Sequence, residues 1–376
     1  MIYLDNAATT LKKPPEVLRA VEMALKHGGN AGRGANSVSG YSENIIMECR
    51  SAAARMFGVM ETENIAFTFN ATHALNIAMH SLIEPGMRVI ASGYEHNAVY
   101  RPLMSMKKNG VDTRVVKTPL FEPEVFLHKF EEELRRGADV AVCTHVSNVF
   151  GYILPIERVD ELCFKFGVPL IIDASQSAGH MNLNVGRLKA AKFVCMPGHK
   201  GLMGPQGTGI IICMDGAEPL LYGGTGADSL NEDMPEYLPE RLEAGTQNLP
   251  GIAGLNEGIR FVMQVGAEKI LEHERQLLNM ILSELKAFPM IKPYAAEKLF
   301  CQSGVLSVVT RGIDADLAAE AFARKGIALR AGLHCAPVAH KSADTLETGT
   351  LRISPSVFTT PREITQFLRE LKRIVQ

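Results

Sequence analysis

Lys200 lies in Met196-Pro197-Gly198-His199-Lys200-Gly201-Leu202-Met203-Gly204-Pro205, a glycine-rich loop. Upstream, the apolar run Val168-Pro169-Leu170-Ile171-Ile172 ends in Asp173. A lysine amine condenses with an aldehyde, and a carboxylate at the end of a buried strand can hold a pyridinium nitrogen protonated, so that the ring accepts electrons. Together the two residues point to pyridoxal 5'-phosphate. Other residues complete such a site. His96, in Tyr94-Glu95-His96-Asn97, could stack on the ring. Asn148 could donate to the phenolate oxygen, with Gln176 doing the same from the other side. Ala71 and Thr72 follow Asn70 at the start of a helical pattern, where backbone N–H groups, the threonine hydroxyl and the helix dipole suit a phosphate. His199 would be a second phosphate donor.

Two further residues would act on a substrate. Cys335 sits in Arg330-Ala331-Gly332-Leu333-His334-Cys335-Ala336-Pro337, where glycine and proline indicate a loop. Its neighbours His334 and Arg330 could favour the thiolate, and a loop thiol reaching the cofactor's adduct suggests capture of sulfur or selenium. Cys143, Cys195 and Cys213 lie in apolar strand patterns and read as inert buried thiols. Arg352, in Thr350-Leu351-Arg352-Ile353-Ser354, suits an amino-acid carboxylate through a bidentate pair.

Each residue also has a plain structural reading. Asp173 can be a turn or helix-cap residue, and Asn148 a loop cap. His96 can be an ordinary surface or core histidine, and His199 an exposed loop histidine. Asn70-Ala71-Thr72 can be a simple N-cap. Cys335 can be an incidental thiol, and Arg352 half of a structural ion pair.

The elements that would position these groups follow from short apolar runs alternating with helical patterns. Strands are expected at Ile65–Phe69, Arg88–Ala91, Val140–Thr144, Pro169–Ile172, Phe193–Met196 and Gly209–Cys213, with helices such as Ala71–Ile83 and Ile156–Phe166 between them. This is α/β patterning with a mainly parallel sheet, whose ligands bind beyond the carboxyl ends of the strands. Asn70, His145, Asp173 and Pro197 all fall just past expected strands. Gly223 to Gln247 reads as irregular. One long helix from Ile252 to Phe288 is expected next. A strand (Ser303–Thr310), a helix (Asp314–Lys325), the Cys335 loop, a strand (Thr350–Ile353) and a last helix (Pro361–Val375) would follow. The expected division is a large cofactor lobe, 15–255, and a small lobe from 1–14 and 256–376 that carries the cysteine loop.

The chain has 376 residues, enough for both lobes, and its net charge of -2 provides no field for nucleic acid. No apolar stretch approaches the ~20 residues of a membrane helix, and the start carries no signal-peptide pattern. Seven scattered cysteines without a C-x-x-C pair imply no disulfide framework, no zinc site and a reduced, cytoplasmic protein.

The assembled motifs resemble the class V aminotransferase-like enzymes, and within them the cysteine desulfurases and selenocysteine lyases. The resemblance begins at Tyr3-Leu4-Asp5-Asn6-Ala7-Ala8-Thr9-Thr10 and runs to about Arg352; its most specific part is Asp173-Ala174-Ser175-Gln176-Ser177 followed by Gly198-His199-Lys200. It implies a type I aminotransferase-like fold with helices on both sheet faces and a smaller α+β C-terminal domain. It makes Lys200 the cofactor lysine, Asp173 the pyridinium partner and His96 the stacking histidine. Asn148 and Gln176 match the groups at the phenolate oxygen, and Thr72 and His199 match phosphate ligands. Arg352 matches the carboxylate arginine and Cys335 the persulfide cysteine. Gly245-Thr246 resembles the segment that the family donates across a dimer to its partner's phosphate, which implies a homodimer. The substrate implied is L-cysteine or L-selenocysteine. Two positions depart from the pattern: Pro197 replaces a frequent serine, and Leu333 a frequent histidine. The short, glycine-led cysteine loop is similar to a branch that passes sulfur to an acceptor protein. The rival readings are another enzyme on this scaffold, an aminotransferase or β-lyase that ignores Cys335, and a low-turnover sulfur carrier.

Overall fold

The computed structural model describes residues 1–31 and 36–375. The elements of the larger part run β1 (Ile2–Tyr3), α1 (Pro15–His27), α2 (Ser37–Phe57), β2 (Ile65–Thr68), α3 (Ala71–Leu82), β3 (Arg88–Ser92), α4 (Asn97–Lys108), β4 (Asp112–Val116), α5 (Pro123–Arg135), β5 (Val140–Thr144), α6 (Ile156–Phe166), β6 (Leu170–Asp173), β7 (Ala191–Pro197), β8 (Gly209–Cys213) and α7 (Leu249–Val265). There follow α8 (Ala267–Leu285), β9 (Ile291–Tyr294), β10 (Leu306–Thr310), α9 (Ala315–Ala323), β11 (Ile327–Ala328), β12 (Arg330–Gly332), α10 (Pro337–Ser342), β13 (Thr350–Ile353) and α11 (Pro361–Val375).

The central sheet has seven strands in the order β2-β8-β7-β6-β5-β3-β4. Strands β4, β3, β5, β6 and β7 pair in parallel, and β8 runs antiparallel to both β7 and β2. Side chains alternate between two cores, as the pleat requires. Ile90, Cys143, Leu170, Ile172 and Val194 pack with α2, α5 and α6. Val89, Val142, Ile171, Phe193 and Cys195 pack with α3 and α4. With both faces covered, the strands read as continuous apolar runs, and that is why they were visible in the sequence. The same alternation puts Asp173 on the face of Ile171, towards the N-termini of α3 and α4.

A third core joins Ile2 and Leu4 to α8, α9, α11 and the sheet β12-β13-β10-β9. Strand β1 pairs in parallel with β11, so the N-terminal segment enters this core before crossing to the central sheet.

Three expectations need correction. The helix expected from Ile252 to Phe288 is two helices, α7 and α8, separated by Gly266 at φ 93°. A left-handed backbone cannot continue a right-handed helix, and glycine reaches it without strain. Asp173 and Pro197 are the last residues of β6 and β7 rather than lying beyond them. The edge strands β4 and β9 were not anticipated, because Asp112-Thr113-Arg114-Val115-Val116 and Ile291-Lys292-Pro293-Tyr294 carry polar or proline positions.

One ion pair ties α8 to the loop behind the glycine-rich segment. His180 Nε2 lies 3.3 Å from Glu274 Oε1, with both side chains largely buried. Burial lowers the histidine pKa, but the Glu274 carboxylate outweighs it and the net shift is upward from 6.5. A raised native pKa means that this stabilisation is full below the unfolded value and is lost as pH rises through the native one. The difference in urea midpoint between wild type and His180→Asn is therefore expected to be larger at about pH 5.5 than at about pH 9; an equal difference at both would show that the charge on His180 contributes nothing.

Candidate active site

In the strand order, β4 lies on one side of β3 while β5, β6 and β7 continue on the other. The crevice between the carboxyl ends of β3 and β5 is thus the switch point where α/β sheets bind ligands. The loop after β3 delivers His96 and the loop after β5 delivers Asn148. These residues line a cavity of about 220 Å³ together with Ala71, Thr72, Asp173, Gln176, His199, Lys200, Cys335 and Arg352. Gly245 and Thr246 do not reach it; they line a separate cleft of about 680 Å³ beside Arg50 and Glu243.

The glycines around Lys200 serve close packing. A Cβ on Gly201 would sit 2.2 Å from the Ala178 carbonyl oxygen, and Gly179, at φ 86°, packs against Gly201 in return. Burial lowers the Lys200 pKa to about 8, with Asp173 opposing and Arg352 and Arg330 adding to the shift. The Asp173 carboxylate is 2% exposed and accepts the Ser175 N–H at 2.9 Å. His96 is the N-cap of α4, its Nδ1 accepting the Ala98 N–H at 3.0 Å. That bond places the ring proton on Nε2. Burial, then Lys200, brings the His96 pKa down to about 4, so the ring is neutral. His199 is also lowered to about 4, by burial and then by Lys200 and Lys13, and its Nδ1 pairs with Thr9 Oγ1 at 3.0 Å.

The N-terminal segment straps this side of the cavity. Thr10 bonds the His199 carbonyl through its amide at 3.2 Å and its hydroxyl at 3.0 Å, and Gln176 Nε2 donates to the Ala7 carbonyl at 2.9 Å. Gln176 was expected to serve only a ligand oxygen; one of its N–H groups instead fixes this strap. Ala7 and Ala8, absent from the residues singled out by chemistry, line the cavity through this contact.

The cysteine loop is short and strained. His334 and Cys335 have φ 47° and 56°, consecutive left-handed non-glycine residues, at a cost on the order of 1 kcal/mol each. Hydrogen bonds from the start of α4, after β3, and from the loop after β5 hold their carbonyls: Asn97 N–H to Cys335 O at 2.7 Å, and Asn148 Nδ2 to His334 O at 2.8 Å. Cys335 is exposed, whereas the other six cysteines are buried. Burial drives the thiols of Cys143, Cys195 and Cys213 upward. Arg330 Nη2 lies 3.9 Å from the Cys335 sulfur. The expectation that His334 adds a second cation is not met. Its ring is buried, accepts or donates at Thr350, and is lowered by burial and Arg352 to about 2.

Arg352, 1% exposed, pairs with Asp5 Oδ1 at 2.6 Å and donates to the Asn148 carbonyl at 2.9 Å. The ion-pair reading of this residue is therefore realised, and the arginine still lines the cavity. Its Nε is buried without a partner, as is Asn148 Oδ1.

These groups fit pyridoxal phosphate. The first N–H groups of α3 have no acceptor within the helix. Asn70 Oδ1 takes the His73 N–H at 2.9 Å, which leaves those of Ala71 and Thr72 for a phosphate. Asp173 faces the same space as the Lys200 amine and the neutral His96 ring. In protein stripped of cofactor, uptake of pyridoxal phosphate needs the neutral Lys200 amine. The rate of absorbance change on reconstitution is expected to rise with pH and to reach half its plateau at about pH 8. A rate still climbing steeply through about pH 10 would show an ordinary, solvated lysine.

The family model Aminotransferase class-V matches residues 2–367. A probable cysteine desulfurase from Methanothermobacter thermautotrophicus is 31% identical over 96% of this chain and 92% of its own length. Another from Pyrococcus abyssi is 31% identical over 100% of this chain and 94% of its own. A solved apo cysteine desulfurase from Thermococcus onnurineus NA1 has a TM-score of 0.92 at 31% identity, covering 100% of this chain and 94% of that one. The chain has the type I fold of these relatives, and the family to which it belongs, pyridoxal phosphate-dependent throughout this group, is that of the class V aminotransferases in their cysteine desulfurase branch.

Proposed function

We propose that the chain converts L-cysteine to L-alanine while the sulfur passes to Cys335 as a persulfide, and that L-selenocysteine is a second substrate. The cofactor supplies an electron sink for charge developing at the substrate's α-carbon. The chain's own residues do the rest. Arg352 and Asn148 hold the substrate carboxylate. Asp173 would hold the cofactor's ring nitrogen and the neutral His96 ring would stand against the cofactor. Lys200 would move the α-proton, taking it from the substrate and returning it to the product, a role that suits an amine brought down to about 8. Cys335 Sγ then attacks the substrate sulfur. An S–S bond forms as the bond from sulfur to the β-carbon breaks, and the carbon keeps the electron pair and gains a proton to become the methyl group of alanine.

The observation that carries this reading is the placement of Cys335. It is the exposed thiol among the described cysteines, held in a strained loop on the same cavity as Lys200 and Asp173. A transaminase or simple β-lyase needs no such group.

The same reading assigns residues 15–255 to the cofactor lobe and residues 1–14 and 256–376 to the small lobe. Gly245 and Thr246 then complete the phosphate site of a second copy in a homodimer, since they lie off the cavity of their own chain. An acceptor protein takes the sulfur from Cys335. Six buried, unpaired cysteines suit the reducing cytoplasm; no helix among the described residues is long and apolar enough to cross a membrane.

Alanine and sulfide, or selenide, are to be measured from both substrates with a thiol reductant present. Cys335→Ala is expected to lose sulfide formation from L-cysteine by at least about 100-fold. Undiminished sulfide would leave a β-lyase that ignores Cys335. Keto acid with stoichiometric amino transfer would favour an aminotransferase, and cysteine binding without turnover would favour a carrier.

A further inference from the structure

Arg352 already holds a carboxylate that belongs to the protein. Asp5 Oδ1 lies 2.6 Å from Nη2, and the Asn148 carbonyl occupies Nη1. Asp5 cannot easily swing away. Its backbone bridges Ser354 in parallel, with Asn6 N–H to Ser354 O at 3.1 Å and Ser354 N–H to Leu4 O at 2.7 Å. The guanidinium is 1% exposed, so without Asp5 its charge would be desolvated and uncompensated. Arg352 lines the cavity, while its Nε–H is buried without a partner. An unmatched donor of this kind is costly until something accepts from it.

We infer that Asp5 is a built-in carboxylate that aligns Arg352 at the edge of the cavity and by like-charge repulsion weakens its affinity for the incoming substrate carboxylate. Asp5 is thus a positioning residue that sets substrate affinity; this rests on the reading of Arg352 as the carboxylate receptor. An isosteric amide keeps an oxygen for Nη2 and removes the repelling charge. The repulsion acts on the carboxylate; Asp5 also raises the Lys200 pKa slightly against its net lowering, an effect shared by any amine, so the ratio of L-alanine to ethylamine affinity isolates the carboxylate.

The test uses cofactor-loaded protein titrated with L-alanine and with ethylamine, its counterpart without a carboxylate, and reads binding from the absorbance change. In Asp5→Asn, the ratio of L-alanine to ethylamine affinity is expected to rise about fivefold, and the KM for L-cysteine to fall with kcat within about twofold. Asp5→Glu, which keeps the charge, should stay near wild type. Should Asp5→Asn not fold, Asp5→Ser carries the same expectation. A ratio that is unchanged or lower in a folded variant overturns the inference, as does failure of both variants to fold, which would make Asp5 purely structural. Arg352→Lys separates the two layers. If it leaves L-alanine affinity intact, Arg352 is not the receptor and both readings fall. If it weakens L-alanine while Asp5→Asn has no effect, only the role of Asp5 falls.

Discussion

The site depends on opposite charges held on the wall of one cavity. Lys200 is desolvated, which disfavours its ammonium form, and Asp173 pulls the other way. The balance brings the amine down to about 8 on a cavity that also holds the Asp173 carboxylate. Neither position is adjustable. Asp173 ends a strand buried on both faces, and the loop carrying Lys200 closes on Ala178 through a glycine that admits no side chain. The fold's contribution to the chemistry is to keep these two groups on the wall of one cavity.

The elements around this cavity meet through polar contacts. The cysteine loop leads from Ala331, packed on the small-sheet core, to Ala336 in the core beneath the central sheet, and its carbonyls are held by Asn97 and Asn148. The N-terminal strap crosses as well, from β1 to the His199 carbonyl. Strain at His334 and Cys335 is offset by these bonds, so the exposed thiol is fixed at the rim instead of moving freely on a loop.

Much of this was legible in the sequence, for physical reasons. Strands covered on both faces appear as apolar runs, and residues that end them fall at the ligand-binding edge of a parallel sheet. Hence Asp173, His96, Asn148 and Lys200 could be named before their neighbours in space were known. Edge strand β4 was hidden because it opens on the polar run Asp112-Thr113-Arg114, and the break at Gly266 because an isolated glycine within a helical pattern does not announce its φ. The partners of side chains were the least visible. Nothing in Leu333-His334-Cys335 says that the imidazole turns inward to Thr350. The pairing of Arg352 with Asp5 joins residues 347 positions apart, beyond the reach of any local pattern. That pairing realises the structural reading of an arginine that also lines the cavity.

The central claim is a covalent one, and reduction tests it most directly. Cofactor-loaded protein treated with borohydride and digested should carry the pyridoxyl mass increment on the peptide containing Lys200 and on no other. An increment on a different lysine, or none after full loading, would contradict the account.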